Sequence, residues 1–343
     1  MEQLSERAER VLESIIHAHI LTAEPVGSRT ISRKFGLGVS PATIRNTMVD
    51  LEEMGYVDQP HTSAGRVPTD KGYRYYVDML MPNEGLTKAE KEIISRKLRV
   101  AIKESSTDRI FEEISKVLAA MSKQLGIVLS PFFDNGILVR LDLVPLSEHK
   151  LLFVLTIKSG IAKTLLIDFD KRIDLAEIDD TLRILNERLT GLTIREIRET
   201  IGLRLKDVNR GDPAVLGKLV SDRDRLFRFV SPDELYFVGT TNIFSQPEFR
   251  DWDRVTRFME VLEKREPIVY FLSQRANQSG VVITIGRENR LDEIQYCSLV
   301  TSSYRIGNVC GMIGVIGPTR MRYPKLASLV GYVAELTGKL LSS

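Results

Sequence analysis

Arg45 and Asn46 stand side by side a few residues into a segment, SPATIRNTMVDLEEM, that starts at Ser40-Pro41. Their side chains carry paired donors and acceptors that match guanine and adenine edges in a major groove. A serine oxygen can accept from a free amide of a first helical turn, and proline at the first helical position sacrifices no hydrogen bond, so Ser40-Pro41 predicts a helix running to about Met54. Ile44, Met48 and Leu51 recur at i, i+4 and i+7 and share one face, which leaves Thr43, Arg45, Asn46 and Thr47 for the others. The chemistry this spacing offers is the reading of a duplex, with Thr43, Arg45 and Asn46 toward the bases.

The elements that must position those residues flank them. SRTISRKF predicts a short helix with Ser28 as its cap, Ile31 and Phe35 as its buried stripe, and Gly36 and Gly38 closing it. Helix, tight turn, helix is an arrangement in which the first helix braces against the backbone and the N-terminal end of the second enters the groove. Ser28, Arg29 and Ser40 then fall where phosphate contacts are made. Tyr56 to Pro68 starts and returns as strand around a small polar middle, HTSAG, and reads as a β-hairpin wing. His61 and Ser63 at its tip, with Arg66 on the returning strand, are the candidate wing contacts to phosphate or minor groove. A helix-turn-helix followed by a wing makes a winged helix.

PVGSRTISRKF, VSPATIRNTMVDLEEMGYVDQPHTSAGRVPTDKGYRYYVD and, near the far end, IGPTRMRY resemble the heat-inducible transcription repressor family HrcA. Thr47 departs from that pattern, where an acid is expected, and so does Arg322, where an aspartate is expected. The resemblance implies an α+β chain with an N-terminal winged-helix domain, then a GAF-like domain carrying an inserted dimerisation domain. It also implies a homodimeric repressor of heat-shock (chaperone) genes that binds an inverted-repeat operator and depends on the GroE chaperonin. The ranges expected are 1–82 for the winged helix, 83–173 and 251–343 for the two parts of the GAF-like domain, and 174–250 for the insert.

Composition limits the alternatives. The chain has 343 residues, enough for two or three domains, and 48 basic against 46 acidic residues, so overall charge does not announce a nucleic-acid binder. Distribution does. Residues 26 to 49 hold Arg29, Arg33, Lys34 and Arg45 without one acid, whereas Glu2, Glu6, Glu9 and Glu13 gather on the first helix and Asp50, Glu52 and Glu53 at the end of the recognition helix. Two cysteines and four histidines form no ligand set, so no metal and no cofactor are expected. The glycines of GNVCGMIGVIGPT lack the lysine-serine ending of a phosphate loop and read as an interrupted strand pair. With no nucleophile elbow or paired zinc motif, no catalytic residue is assigned and an enzyme is not expected. No apolar run nears the roughly 20 residues of a membrane span, and a cytoplasmic protein is expected.

Along the chain, residues 4 to 20 predict an amphipathic helix with Leu4, Ala8, Val11, Leu12 and Ile15 on its buried face. His17 and His19 near its end read as structural. Thr69 caps a helix whose Tyr73, Tyr75 and Tyr76 read as core anchors, because a duplex offers no unstacked bases. Pro82, Asn83 and Gly85 mark a linker. Helical spacing fills 87 to 126; strands follow at 137–145, 150–157 and 161–169 as an antiparallel meander. Helices are expected through 174–205, 214–227 and 252–264, a strand at 234–239, further strands at 268–272, 281–286, 294–301 and 307–317, and a last helix from Pro324 to Leu341. Strands, helices, then strands again suggests one α+β domain interrupted by an insertion. A second reading is a ligand-sensing regulator whose GAF-like domain binds a small effector; a third is a winged helix that contacts protein.

Overall fold

The computed structural model describes residues 3–104, 107–160, 162–227, 234–275 and 278–342. Glu2 and residue 161, the first of the 161–169 run, lie outside them. The fold is a mixture of helix and antiparallel sheet, in the α+β class.

Helix α1 (Glu6–Thr22) starts at Ser5, whose Oγ accepts from the Ala8 amide at 3.3 Å. Val11, Leu12, Ile15 and Ile16 bury completely, and α2 (Ser28–Phe35) and α3 (Pro41–Glu53) close over them with Ile31, Ile44, Met48 and Leu51. Gly27 precedes the first turn of α2 and Ser28 is already helical with no capping bond, which corrects the expected cap by one residue. Strands β1 (Val57–Asp58) and β2 (Val67–Pro68) pair antiparallel as the expected hairpin. Helix α4 (Asp70–Tyr75) follows from a Thr69 cap and continues into a π-helical turn, Tyr76–Leu80. Tyr73, Tyr75 and Tyr76 are each 1% exposed, so the aromatic cluster is core.

Residues 81–87 form neither helix nor strand and lead to α5 (Lys88–Glu104) and α6 (Thr107–Ser122). A five-stranded antiparallel sheet dominates the body. It combines β3 (Leu125–Leu129), β7 (Leu235–Val238), β8 (Val281–Ile285), β9 (Cys297–Ile306) and β10 (Val309–Pro318) in the order β7-β3-β10-β9-β8. Helices α6 and α14 (Tyr323–Leu341) pack on one face through Leu118, Val128, Ile313 and Val330. Helices α12 (Trp252–Lys264) and α13 (Glu266–Ser273) pack on the other through Phe258, Ile268, Leu299 and Ile316, after a short α11 (Thr240–Phe244). Burial on both faces explains why β10 reads as an unbroken apolar and glycine run. Its glycines lie within the strand pair, where a Cβ on Gly314 would come within 2.7 Å of the Val300 carbonyl.

Between β3 and β7 the chain makes a long excursion. Its β4 (Leu138–Ser147), β5 (Lys150–Ile157) and β6 (Ala162–Asp168) form a separate antiparallel meander. Among the described residues four α-helices accompany it: α7 (Ile178–Leu189), α8 (Ile194–Arg204), α9 (Pro213–Ser221) and α10 (Arg223–Leu226). Asn186 of α7 clasps the Leu141 amide and carbonyl at 2.9 and 2.8 Å, so helices and meander share one core.

The meander's strands pair only with one another, apart from the five-stranded sheet. Two element readings are corrected. Residues 268–272 are helical: Pro267 occupies the first turn of α13, and Ile268, Val269, Phe271 and Leu272 bury while Tyr270 stays 68% exposed, which is not a two-residue period. The helical spacing expected through 126 stops short of that: Leu125 and Gly126 already belong to the strand β3.

Candidate nucleic-acid interface

The capping geometry at α3 matches the residue types. The Ser40 Oγ accepts from the Thr43 amide at 3.1 Å and lies 2.9 Å from the Thr43 hydroxyl, and Pro41 occupies the first turn. Ile44, Met48 and Leu51 are buried, which turns Arg45 and Asn46 to solvent on adjacent positions, with Thr43 half-buried beside them. Thr47 differs from its expected exposure. It is 2% exposed, and its hydroxyl satisfies itself on the Thr43 carbonyl at 3.1 Å, a back-bond that lets threonine occupy an apolar seam. The first turn of α3 carries the positive end of the helix dipole.

Arg29, Arg33 and Lys34 of α2 are exposed, and Ser28 is half-buried. On the hairpin, His61, Thr62 and Ser63 are exposed at the tip. Two devices missed by sequence reasoning shape this loop. The Gln59 amide donates to the Thr62 and Ala64 carbonyls at 3.0 and 2.9 Å, closing the turn from inside. Arg66 is tied down: its guanidinium pairs with Glu52 of α3 at 2.7 Å, and its side chain is only 14% exposed. Its backbone exchanges two hydrogen bonds with Val26, at 2.8 and 2.9 Å. Gly65 makes that approach possible, since a Cβ there would lie 2.4 Å from the Val26 carbonyl carbon. Nothing local announces these pairings; Glu52 and Arg66 are simply complementary charges brought together by the turn after α3.

Polar groups as well as rings hold α1 against α4 and its π-helical turn within the unit. His17 Nε2 meets the Tyr76 hydroxyl at 3.1 Å and His19 Nδ1 meets that of Tyr73 at 2.8 Å. Burial, then the nearby Arg320 cation, pushes the His19 pKa down to about 4, with Glu248 opposing. The neutral ring shares a hydrogen bond with the Tyr73 hydroxyl. The Tyr75 hydroxyl donates to Glu9 of α1 at 2.7 Å, so one of the α1 acids serves the core.

A family model described as the HrcA protein C terminal domain matches residues 108–327. A protein of Chlorobium phaeobacteroides (strain BS1) named heat-inducible transcription repressor HrcA is 42% identical, with 99% of each chain covered. This chain belongs to the HrcA family. HrcA proteins of Prosthecochloris aestuarii, 40% identical with 97% and 96% covered, and Pelotomaculum thermopropionicum, 36% identical with 99% and 97% covered, bear the same name. HrcA is a family of transcription repressors and not of enzymes. One solved structure, titled only as a hypothetical protein, is 21% identical, covers 99% of both chains and reaches a TM-score of 0.59, a likeness of fold. Among the described residues no helix is long and apolar enough to cross a membrane, and no group of three or more His, Cys, Asp or Glu could hold a metal ion.

Proposed function

We propose that this HrcA-family chain is a homodimeric repressor of heat-shock (chaperone) genes that reads the two halves of an inverted-repeat operator. In this reading α1 to β2 form a winged helix, α3 enters the major groove and the hairpin is the wing. Arg45, Asn46 and Thr43 face bases; Ser28, Arg29 and Ser40 meet phosphate; His61 and Ser63 contact the duplex from the wing. Arg66 reaches DNA only by exchanging Glu52 for a phosphate, and otherwise sets the angle of the wing. The observation that carries the reading is the presentation of Arg45 and Asn46 together on the exposed face of a capped helix whose other face is core. A two-fold dimer then matches a palindrome.

The body, α5 to β3 with β7 to α14, is assigned as the GAF-like domain, and the excursion between β3 and β7 as the dimerisation insert. In this reading the insert spans about 130–234 where 174–250 was expected; the 3.0 Å backbone bond between Ser130 and Glu234 at its root supports that choice. Dependence on the GroE chaperonin completes the reading and rests on family membership.

The test is fluorescence anisotropy of the full chain with an inverted-repeat chaperone-gene operator and a scrambled duplex, with and without chaperonin. Preference for the operator, strengthened by chaperonin, is the expected result. Equal affinity for both duplexes under every condition would overturn the operator reading, and an operator preference indifferent to chaperonin would remove the GroE part alone.

A further inference from the structure

Beside an apolar core that runs through both, a set of directional contacts docks the reading unit onto the body, and residues 81–87 are its covalent connection. Directly after the hairpin, α4 presents Asp70 and Arg74, one turn apart, to the turn that follows the edge strand β8. Arg74 grips Glu288 with two hydrogen bonds, Nε to Oε1 at 2.8 Å and Nη2 to Oε2 at 2.5 Å, and Nη2 also donates to the Ile283 carbonyl of β8 at 2.8 Å. Glu288 is itself oriented by the Ile285 amide at 2.9 Å. Asp70 accepts from the Arg287 amide at 3.1 Å. A Cβ on Gly286 would lie 2.1 Å from that carboxylate, so glycine is what lets Asp70 in. From the loop between β10 and α14, Arg320 donates to the Ile20 carbonyl of α1 at 2.9 Å and pairs with Glu248 at 2.6 Å. The rings of Tyr73 and Tyr323 pack at 5.9 Å. The connection itself, residues 81–87, has no helix or strand; seven residues span up to about 23 Å when extended.

We propose that Arg74–Glu288, Asp70–Arg287 and the Arg320 contacts are spacing determinants of operator recognition: they hold each reading head at one angle to the body, so the dimer accepts one separation of half-sites. The inference rests on the dimeric operator reading above. Two-point arginine–carboxylate pairs fix direction as well as distance, which is what an angle requires. Duplex DNA turns once in about 10.5 base pairs, so two extra pairs displace a half-site by about 7 Å and rotate it by about 70°. A head held at these contacts cannot follow such a rotation. One tethered only by residues 81–87 can.

The experiment compares operators with the native spacer and with two or five base pairs added, alongside a single half-site, for the full-length protein and variants. Wild type should lose about 100-fold in affinity on the altered spacers, the avidity forfeited when one head disengages. The Arg74→Ala, Arg320→Ala double variant should lose less than about threefold on adding two pairs, with half-site affinity equal to wild type. Arg74→Lys, which keeps the charge and loses the two-point grip, should fall between them. A merely structural role would weaken every duplex alike and leave the spacer profile unchanged. If the double variant also fails on the half-site, Arg74→Lys and Asp70→Asn decide, and an unchanged spacer profile in those two overturns the proposal. Wild type that does not distinguish operator from scrambled duplex would sink the operator reading itself, a separate outcome.

Discussion

Arg45 has no ion-pair partner among the salt bridges of the described residues and lies exposed on α3 beside Asn46, so truncating it removes little that holds the fold together. Arg45→Ala is therefore expected to leave thermal stability unchanged and to weaken operator binding by about 1 to 3 kcal/mol, with relaxed preference at one base position. Equal weakening on operator and random duplexes would demote Arg45 to a phosphate contact. His19 behaves oppositely, since its chemistry belongs to the fold. With its folded pKa near 4 and an unfolded value near 6.5, the unfolded chain binds the extra proton between those limits. The neutral-histidine contribution is complete above about pH 6.5 and is lost as pH falls toward 4, a difference of roughly 2 kcal/mol after allowing for partial solvent screening. His19→Gln should flatten that part of the stability profile, measured by urea unfolding at pH 7.5 and 4.5 against wild type. At this scale, residue types and helical period made Ile44, Met48, Leu51, Arg45 and Asn46 legible. The burial of Thr47 and the capture of Arg66 were not, because a threonine back-bond and an ion pair depend on what the neighbouring backbone presents.

In the proposed reading recognition turns on the start of α3, and Ser40 has two duties there. Its Oγ is engaged by the Thr43 amide, so Ser40→Ala should cost about 1 kcal/mol of stability through the lost cap. Ser40→Asp keeps a capping oxygen and adds a negative charge toward phosphate. It should hold stability near wild type while weakening DNA binding, a separation of the two duties that denaturation and anisotropy together would reveal. If Ser40→Asp binds DNA as wild type does, Ser40 lies away from phosphate. Helix starts at Ser40 and Thr69 and the hairpin after Gly55 were readable because cap, turn and period signals act within a few residues. The misread run at 268–272 shows the limit. Five apolar residues satisfy a buried strand and a buried helix equally, and the decision came from Pro267 and the packing of one face of α13 against the sheet.

At the scale of the whole molecule, a balanced total charge conceals a local excess. Arg29, Arg33, Lys34 and Arg45 are exposed, which makes eight cations in the proposed dimer. If all neutralise phosphate, log affinity should fall with log salt at a slope near −7. A slope near zero would place these cations away from the duplex. The body that carries the heads was only partly legible. The antiparallel meander, the final helix and the existence of an interruption followed from pattern, and family resemblance supplied the domain labels.

What the sequence determined by itself was local: where helices begin, which face of each is apolar, where the hairpin turns, and which side chains of α3 are free to meet a base. Those features depend on residues within a turn or two of one another, so the chain carries them openly. Tertiary structure alone decided that β3 joins β10 across most of the chain, that the meander keeps its own sheet, and that Arg74 meets Glu288. Such pairings are choices among many complementary surfaces. They are settled by which of them can bury together at once, and no short stretch of sequence records that.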